Sequence, residues 1–297
     1  MLFMEFHQLE ALVAVARLQS FGRAAEHLHL TQPAISIAIR KLEVEVGAAL
    51  FDRYRKEIRL TEAGRVLLEY AQSILNLKGQ AGDALSELRA LHRGKVRIGA
   101  NETTNLYVLP QLILAFRSRY PDVKVEVFRS SSVQIPQELK ERNLDFGFIA
   151  YDPIDPDLLF VPILEDPLIL VVRPDHRFAK RRKIRLQDLG AETFVAHNVR
   201  TPSRDYVIDI FRKNSVPLNI GIELSSIETI KQFVELKLGI AFLPGLSVEK
   251  ELAERKLVPV KVESFNHTRL LRAIYLKDKV HSHAAEKFLE VVKSNCR

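Results

Sequence analysis

The hydrophobic positions change period along the chain, and each change marks a different kind of element. Between Glu5 and Leu18, the residues Leu9, Leu12, Val13 and Ala16 recur at helical spacing and predict one buried stripe. From Ser20 the pattern breaks into shorter pieces. Ala24 and Ala25 are small enough to let a second helix cross closely, and Leu28 and Leu30 bracket a tight turn as core anchors. Thr31 reads as a helix N-cap whose hydroxyl accepts from a free amide. Pro33 follows in the first turn, where a missing N–H costs nothing. Ile35, Ile39, Leu42 and Val46 make the apolar face of that helix, which ends near Gly47. Its opposite face carries Gln32, Ser36 and Arg40: an amide, a hydroxyl and a guanidinium suited to base edges and phosphates. The spacing predicts a helix-turn-helix whose second helix enters a DNA major groove.

Leu50 to Leu60 then predicts a short hairpin, the wing, with Arg53 and Lys56 placed for phosphate or minor-groove contacts. Thr61 caps the next helix, with Glu62 in its first turn, and the helical pattern runs to about His92. Leu67, Tyr70, Ile74, Leu77, Ala81, Ala84, Leu88 and Leu91 alternate three and four apart without a break. That is a heptad seam for a two-stranded coiled coil, on a rod of about 45 Å at ~1.5 Å per residue.

From Lys95 the period changes again. Strands are predicted at Val96–Ala100, around Val123, Val125 and Val127, and at Leu144–Ile149. Helices fall between them, one carrying Val108, Leu112 and Phe116 on one face and one over Ile135–Arg142. A second set follows: strands Leu168–Val172, Phe194–Ala196, Leu218–Glu223 and Ile240–Pro244, with helices Arg204–Lys213 and Ile227–Lys237. The chain returns through Leu270–Lys277 and closes with helix Ala284–Asn295. Repeated β-α-β order predicts a largely parallel α/β structure.

Length and composition change this picture little. A chain of 297 residues suits two or three domains. The single cysteine, Cys296, excludes a disulfide within the chain. The N-terminal MLFMEFHQLE has no basic region followed by a long apolar run, so the expected location is the cytoplasm, with no membrane partner. The net charge of +7 is misleading as a sign of DNA binding. Residues 1–93 hold 12 Lys/Arg against 11 Asp/Glu, whereas 94–297 hold 32 against 26. Much of the excess is the run Arg177–Arg185, read as a solvated loop. The DNA reading therefore rests on placed residues rather than on bulk charge.

Ligands of open α/β sheets bind beyond the carboxyl ends of strands, at helix N-termini. Three polar segments occupy such places. The first is Asn101, Glu102, Thr103 and Thr104; the second is Ser130, Ser131 and Ser132; the third is His197 and Asn198 with Thr201. Each alone also reads as a helix cap or polar loop. Converging amides and hydroxyls suit an anionic or zwitterionic metabolite, and Glu102 would repel an anion unless it turns away or faces an ammonium. No phosphate loop, metal-ligand spacing or catalytic triad is present in the sequence, so no catalytic residue, metal or cofactor is expected. Asp175-His176 and His281-Ser282-His283 read as solvated loop residues.

The pattern Ser20-Phe21, Ala24-Ala25, Leu28, Leu30 to Ser36, Ile39, Leu42-Glu43, Gly47, Leu50-Phe51, Arg53 and Leu60 to Gly64 resembles the LysR-type transcriptional regulators. The resemblance implies a winged helix-turn-helix at 1–61, a dimerising linker helix at 62–92 and a two-lobed effector domain at 93–297. That domain is similar to periplasmic binding proteins, with lobe I at about 93–165 and 268–297 and lobe II at about 166–267. Double-stranded DNA, a small-molecule effector and RNA polymerase are the implied partners, and a homodimer pairing into a homotetramer is the implied assembly. The implied DNA contacts are Thr31, Gln32, Pro33, Ser36, Ile37, Arg40, Arg53 and Lys56, with Ile37 apolar where relatives often place a polar residue. Thr103 or Thr104 is the strongest effector contact carried over from the family. Family wings often carry a tip glycine; here Lys56-Glu57 stands there. The competing reading, a two-lobed solute-binding protein without catalytic activity, does not account for the helix-turn-helix.

Overall fold

The computed structural model describes residues 4–52, 58–89 and 94–295. Three helices open the chain: α1 (Phe6–Leu18), α2 (Phe21–His27) and α3 (Gln32–Val46). Ala24 and Ala25 are buried where α2 crosses its neighbours, and Ile35, Ala38, Ile39 and Leu42 bury the inner face of α3. Thr31 Oγ1 accepts from the Ala34 amide at 3.4 Å, and Gly47 closes α3 at φ 70°, a left-handed conformation that glycine adopts without strain. Leu30 is half exposed rather than a core anchor. The turn is closed by backbone instead: the Leu30 amide donates to the Ala25 carbonyl at 2.8 Å while His29 sits at φ 55°. The wing is a two-stranded antiparallel pair, β1 (Phe51–Asp52) with β2 (Arg59–Leu60). Arg53 and Lys56 lie outside the described residues.

Helix α4 (Glu62–Arg89) starts on a double anchor. Thr61 Oγ1 accepts from the Gly64 amide at 3.0 Å and donates to the Ala49 carbonyl at 2.6 Å. One face of α4 packs on the N-terminal core through Ala71, Leu68, Leu75 and also Leu67. Leu67 thus belongs to the intramolecular face, not to a seam. The uncovered apolar stripe is Val66, Tyr70, Ile74, Leu77, Ala81 and Leu85, all exposed. The side chains of Ala84 and Leu88, and all of Leu91, lie outside the described residues. Two side chains tie α4 to the second half of the chain: Asn76 Nδ2 donates to the Glu141 carbonyl at 2.6 Å, and Gln80 Nε2 to the Arg142 carbonyl at 2.8 Å.

The second half is two α/β lobes. In chain order its elements are β3 (Lys95–Ala100), α5 (Glu102–Tyr107), α6 (Leu109–Arg117), β4 (Lys124–Arg129), α7 (Ile135–Lys140), β5 (Phe146–Ile149) and β6 (Leu158–Val172). They continue as β7 (Thr193–His197), α8 (Pro202–Lys213), β8 (Asn219–Leu224), α9 (Ile227–Glu235), β9 (Ala241–Pro244), α10 (Glu249–Ala253), β10 (Val258–Val260), β11 (Thr268–Leu276) and α11 (His283–Ser294). The expected helix around Val108 is broken into α5 and α6, because Pro110 opens a new first turn. The main sheet runs β10-β6-β11-β5-β3-β4, with β9 also on β6. It is mixed rather than largely parallel. β3 pairs in parallel with β4 and β5, whereas β11 lies antiparallel to both β5 and β6. β6 is 15 residues long where the pattern predicted a strand only from Leu168; its first part pairs with β11 and its last part with β9 and β10. It therefore passes through both lobes.

Lobe I closes on Phe116, Phe146 and Phe288, whose ring centroids stand 5.2 Å apart from Phe288 to each of the other two. Lobe II closes on Phe194, Phe211 and Phe242. Among the described residues no helix is long and apolar enough to cross a membrane.

Gly64 is where α4 touches the wing. A Cβ there would stand 2.1 Å from the Leu50 carbonyl oxygen and 2.9 Å from Leu60 Cδ2. Gly64→Ala is expected to destabilise the N-terminal half by about 1–3 kcal/mol, the scale of overpacking. Differential scanning calorimetry of the full chain checks this, and an unmoved lower transition would contradict it.

Candidate DNA-reading face and effector cleft

The outer face of α3 is free of the core. Gln32, Pro33, Ile37 and Arg40 are exposed, and Ser36 is half-buried. Gln32 Nε2 donates to Ser36 Oγ at 3.1 Å, which holds both side chains in one arrangement one helical turn apart. The amide oxygen of Gln32 is not used in this bond. Thr31 stands at the start of this face as its N-cap, its hydroxyl committed to Ala34.

The three polar segments of the second half converge on one cavity of about 640 Å³ between the lobes. Asn101, Glu102, Thr103, Ser131, Ser132, His197 and Thr201 line it; Thr104 and Asn198 do not. Thr104 is 1% exposed, turned into lobe I, and the Asn198 amide donates to the Leu224 carbonyl. The cap of α5 is Asn101, whose Oδ1 accepts from the Thr104 amide at 3.0 Å. Its Nδ2 donates to Ser132 Oγ at 3.1 Å, joining two of the segments directly. Thr201 caps α8 by accepting from the Arg204 amide at 3.2 Å.

Glu102 lines the cavity and reaches across it to lobe II. Its carboxylate accepts from Ser226 Oγ at 2.8 Å and from the Ile227 amide at 3.4 Å, at the N-terminus of α9. Arg129 lies 3.6 Å from the same carboxylate and His197 Nε2 lies 4.0 Å away. An anion at a helix N-terminus meets free amides and the positive end of the dipole. Burial, partly offset by the Glu102 carboxylate, holds the His197 imidazole below its ordinary range. His197 is thus neutral near pH 7, with Nδ1 accepting from the Val199 amide at 3.0 Å.

A second contact between lobes lies one turn further along α5 and α9. Lys231 is 4% exposed, and its ammonium donates to Tyr107 Oη, the Ser247 carbonyl and Glu251 Oε1 at 2.8–3.0 Å. Glu228 stands 2.9 Å from the same ammonium and accepts from the Tyr107 hydroxyl. Burial by itself would lower the Lys231 pKa, but the bonds to Glu228 and Glu251 outweigh it and raise it. Burial, with the bond to Glu228, pushes the Tyr107 hydroxyl up to about 12.

Sequence reasoning missed the rest of the cavity wall. Arg129, Arg204 and Arg269 supply cations, and Leu168, Phe194, Val207, Leu218, Ile220 and Phe242 supply an apolar surface. The apolar residues are spaced as ordinary strand and helix interiors, so nothing local distinguishes a cavity wall from a filled core.

A helix-turn-helix with a wing, a long helix and a two-lobed domain with a cleft is the build of a DNA-binding regulator controlled by a small molecule. The model for "Bacterial regulatory helix-turn-helix protein, lysR family" matches residues 6–65, and that for the "LysR substrate binding domain" matches residues 89–297. A "Probable RuBisCO transcriptional regulator" of Cyanophora paradoxa is 36% identical over 291 residues, covering 96% of this chain and 90% of the relative. The chain belongs to the LysR family of transcriptional regulators, a family of regulators and not of enzymes. The crystal structure of CbnR, a LysR family transcriptional regulator, shares the fold at a TM-score of 0.73 and 23% identity, over 99% of this chain and 100% of that one. The regulatory domain of Synechocystis PCC6803 CcmR, in complex with 2-PG, matches at a TM-score of 0.63 and 25% identity, over 68% of this chain and 97% of that one.

Glu102→Ala removes the carboxylate that joins α5 to α9. The expected loss is about 1.5–3 kcal/mol of stability in the effector half, the scale of hydrogen bonds to a charged group. Urea unfolding measures it. Glu102→Gln keeps an acceptor for Ser226 and should lose less; equal stability in Glu102→Ala and wild type would show that the contact contributes nothing.

Proposed function

We propose that this regulator reads its operator through the exposed face of α3 and changes its grip on DNA when an anionic metabolite enters the cleft between the lobes. Residues 1–61 hold the DNA, 62–92 pair two chains, and 93–297 bind the effector. The observation that carries the reading is the Gln32–Ser36 pair, two polar side chains fixed on an uncovered helix face behind a capped, proline-started first turn. Gln32 and Ser36 contact base edges, Pro33 and Ile37 make apolar contact, and Thr31, Arg40, Arg53 and Lys56 hold the backbone. The CcmR regulatory domain, of the same fold, is in complex with 2-PG, which supports a small-molecule ligand for this domain. Asn101, Thr103, Ser131, Ser132, His197 and Thr201 take the ligand's polar groups here, and Glu102 sets the closure of the lobes. The protein acts in the cytoplasm with the DNA, and its output passes to RNA polymerase.

The uncovered stripe on α4 supports a homodimer. Tyr70, Ile74 and Leu77 are exposed apolar side chains at three-and-four spacing, with their own core already packed on the other face. Contact between effector domains then joins dimers into a tetramer.

Two experiments test this. Gln32→Ala should reduce discrimination among operator sequences by about 1–3 kcal/mol, read by selection from random DNA, whereas Arg40→Ala should weaken all sequences alike. Arg40→Ala should also lower the salt slope of binding by about one per lost phosphate contact. The RuBisCO genes that name the Cyanophora paradoxa relative supply the first operators to try. An unchanged sequence preference in Gln32→Ala would displace the recognition helix from this role. In the second experiment, Ile74→Asp places a charge in the stripe and should shift sedimentation toward monomer, with weaker DNA binding because two half-sites are no longer linked. A wild-type chain that sediments as a monomer would remove the coiled coil.

A further inference from the structure

The cavity has two ends of opposite chemistry. At its mouth stand Asn101, Ser131, Ser132, Thr201 and Arg129. Its other end lies between α8 and the strands of lobe II, walled by Phe194, Ile220, Phe242, Leu218 and Val207. Phe194 and Val207 are counted among the buried core of lobe II, and Ile220, Leu218 and Phe242 pack against that core, yet all five face the open space. Protein interiors normally close such gaps to the density of organic crystals. The space of about 640 Å³ has room for roughly twenty water molecules at ~30 Å³ each. Water at the mouth finds hydroxyls and amides; water at the apolar end finds no partners and is readily displaced.

The charges at the mouth limit the ligand further. Arg204 donates to the His197 carbonyl and to Glu223, and Arg269 is held on the buried Asp166. Arg200 is paired with Asp205 at 2.8 Å. Arg129 is less committed: its ion pair with Glu102 is long, at 3.6 Å, and its side chain is 64% exposed. One loosely held guanidinium, beside the fixed negative charge of Glu102, matches one negative charge and disfavours two or three.

We propose that the effector is a monocarboxylate with an apolar body, its carboxylate at the mouth beside Arg129 and its body lodged under α8 against Phe194, Ile220 and Phe242. This rests on the reading of the cleft as the effector site and narrows the ligand from any anion to an amphipathic one. The polar groups of the mouth orient the head, and the apolar wall supplies the larger share of the binding by removing hydrocarbon surface from water.

The test is calorimetric titration of the full-length protein with straight-chain monocarboxylates from acetate to heptanoate, and with succinate. Affinity should rise about fourfold for each added methylene until the chain outgrows the cavity, the increment of burying one CH₂. Succinate should bind at least tenfold more weakly than hexanoate. Ile220→Phe fills the apolar end and should abolish the gain with chain length; Leu218→Phe serves the same purpose should the first variant fold poorly. Arg129→Gln should weaken the whole series by a similar factor. An affinity flat along the series, tighter binding of succinate than of hexanoate, or a full chain-length gain in both filled variants would overturn the amphipathic effector and leave the cleft as an anion site. If neither succinate nor any monocarboxylate binds, the amphipathic effector is overturned, and titration with 2-PG, the ligand of the CcmR relative, decides separately whether the cleft takes an anion.

Discussion

Strand β6 runs through both lobes, and the rest of the effector half is arranged around that passage. Where it crosses, Asp166 is fully buried. Its carboxylate takes the Arg269 guanidinium at 2.5–2.8 Å and the Leu246 amide at 3.0 Å, so the crossing carries a charge that is fully partnered. A buried carboxylate stripped of those partners would cost several kcal/mol. The crossing is therefore pinned in one arrangement. Across the cleft the lobes are joined at two further places: Glu102 on α9, and Tyr107 with Glu228 and Lys231.

These two contacts differ in what a ligand can do to them. The Lys231 cluster is enclosed, with its ammonium bonded on three sides, and an effector entering the mouth does not reach it. Glu102 lines the cavity itself, beside Arg129 and His197. On the proposed function, an anion arriving next to Arg129 would compete with Glu102 for that guanidinium and change the balance at the α9 N-terminus. A ligand shifts a conformational equilibrium only by its differential affinity for the two states. On the proposed function, Glu102 is the group through which such a difference would reach the lobes. Asn76 and Gln80 on α4 bond directly to the turn at Glu141 and Arg142, which gives lobe I a mechanical connection to the helix that carries the DNA-binding half.

Much of this was legible in the sequence where local chemistry decides structure. Thr31, Pro33 and Gly47 marked the recognition helix because caps and left-handed termini are local features. The three polar segments at strand ends were legible for the same reason, since strand-to-helix turns need capping groups. Competition between neighbours was harder to read: of Asn101, Glu102, Thr103 and Thr104 it is Asn101 that caps α5, because an Asx side chain one position before the helix reaches the third amide. The first half of β6 was not legible because Pro162, Pro167 and the acidic pair Glu165-Asp166 break its alternation; pairing with β11, more than a hundred residues away, makes it a strand. Leu67 could not be assigned to the inner face of α4 from periodicity alone, because Val66 and Leu67 both fit a three-and-four spacing. The apolar end of the cavity is a gap among residues that pattern as core, and gaps leave no trace in a sequence.

In the proposed function, closure of the lobes, set at Glu102, governs how the paired heads sit on DNA. The DNase I footprint of Glu102→Lys on a bound operator tests it most directly. A lysine there faces Arg129 and the positive end of α9, so the lobes open while the N-terminal half is untouched. The expected footprint differs from that of wild type in length or in internal hypersensitive sites, at comparable occupancy. A footprint identical to wild type, from a variant shown by small-angle scattering to be more open, would contradict it.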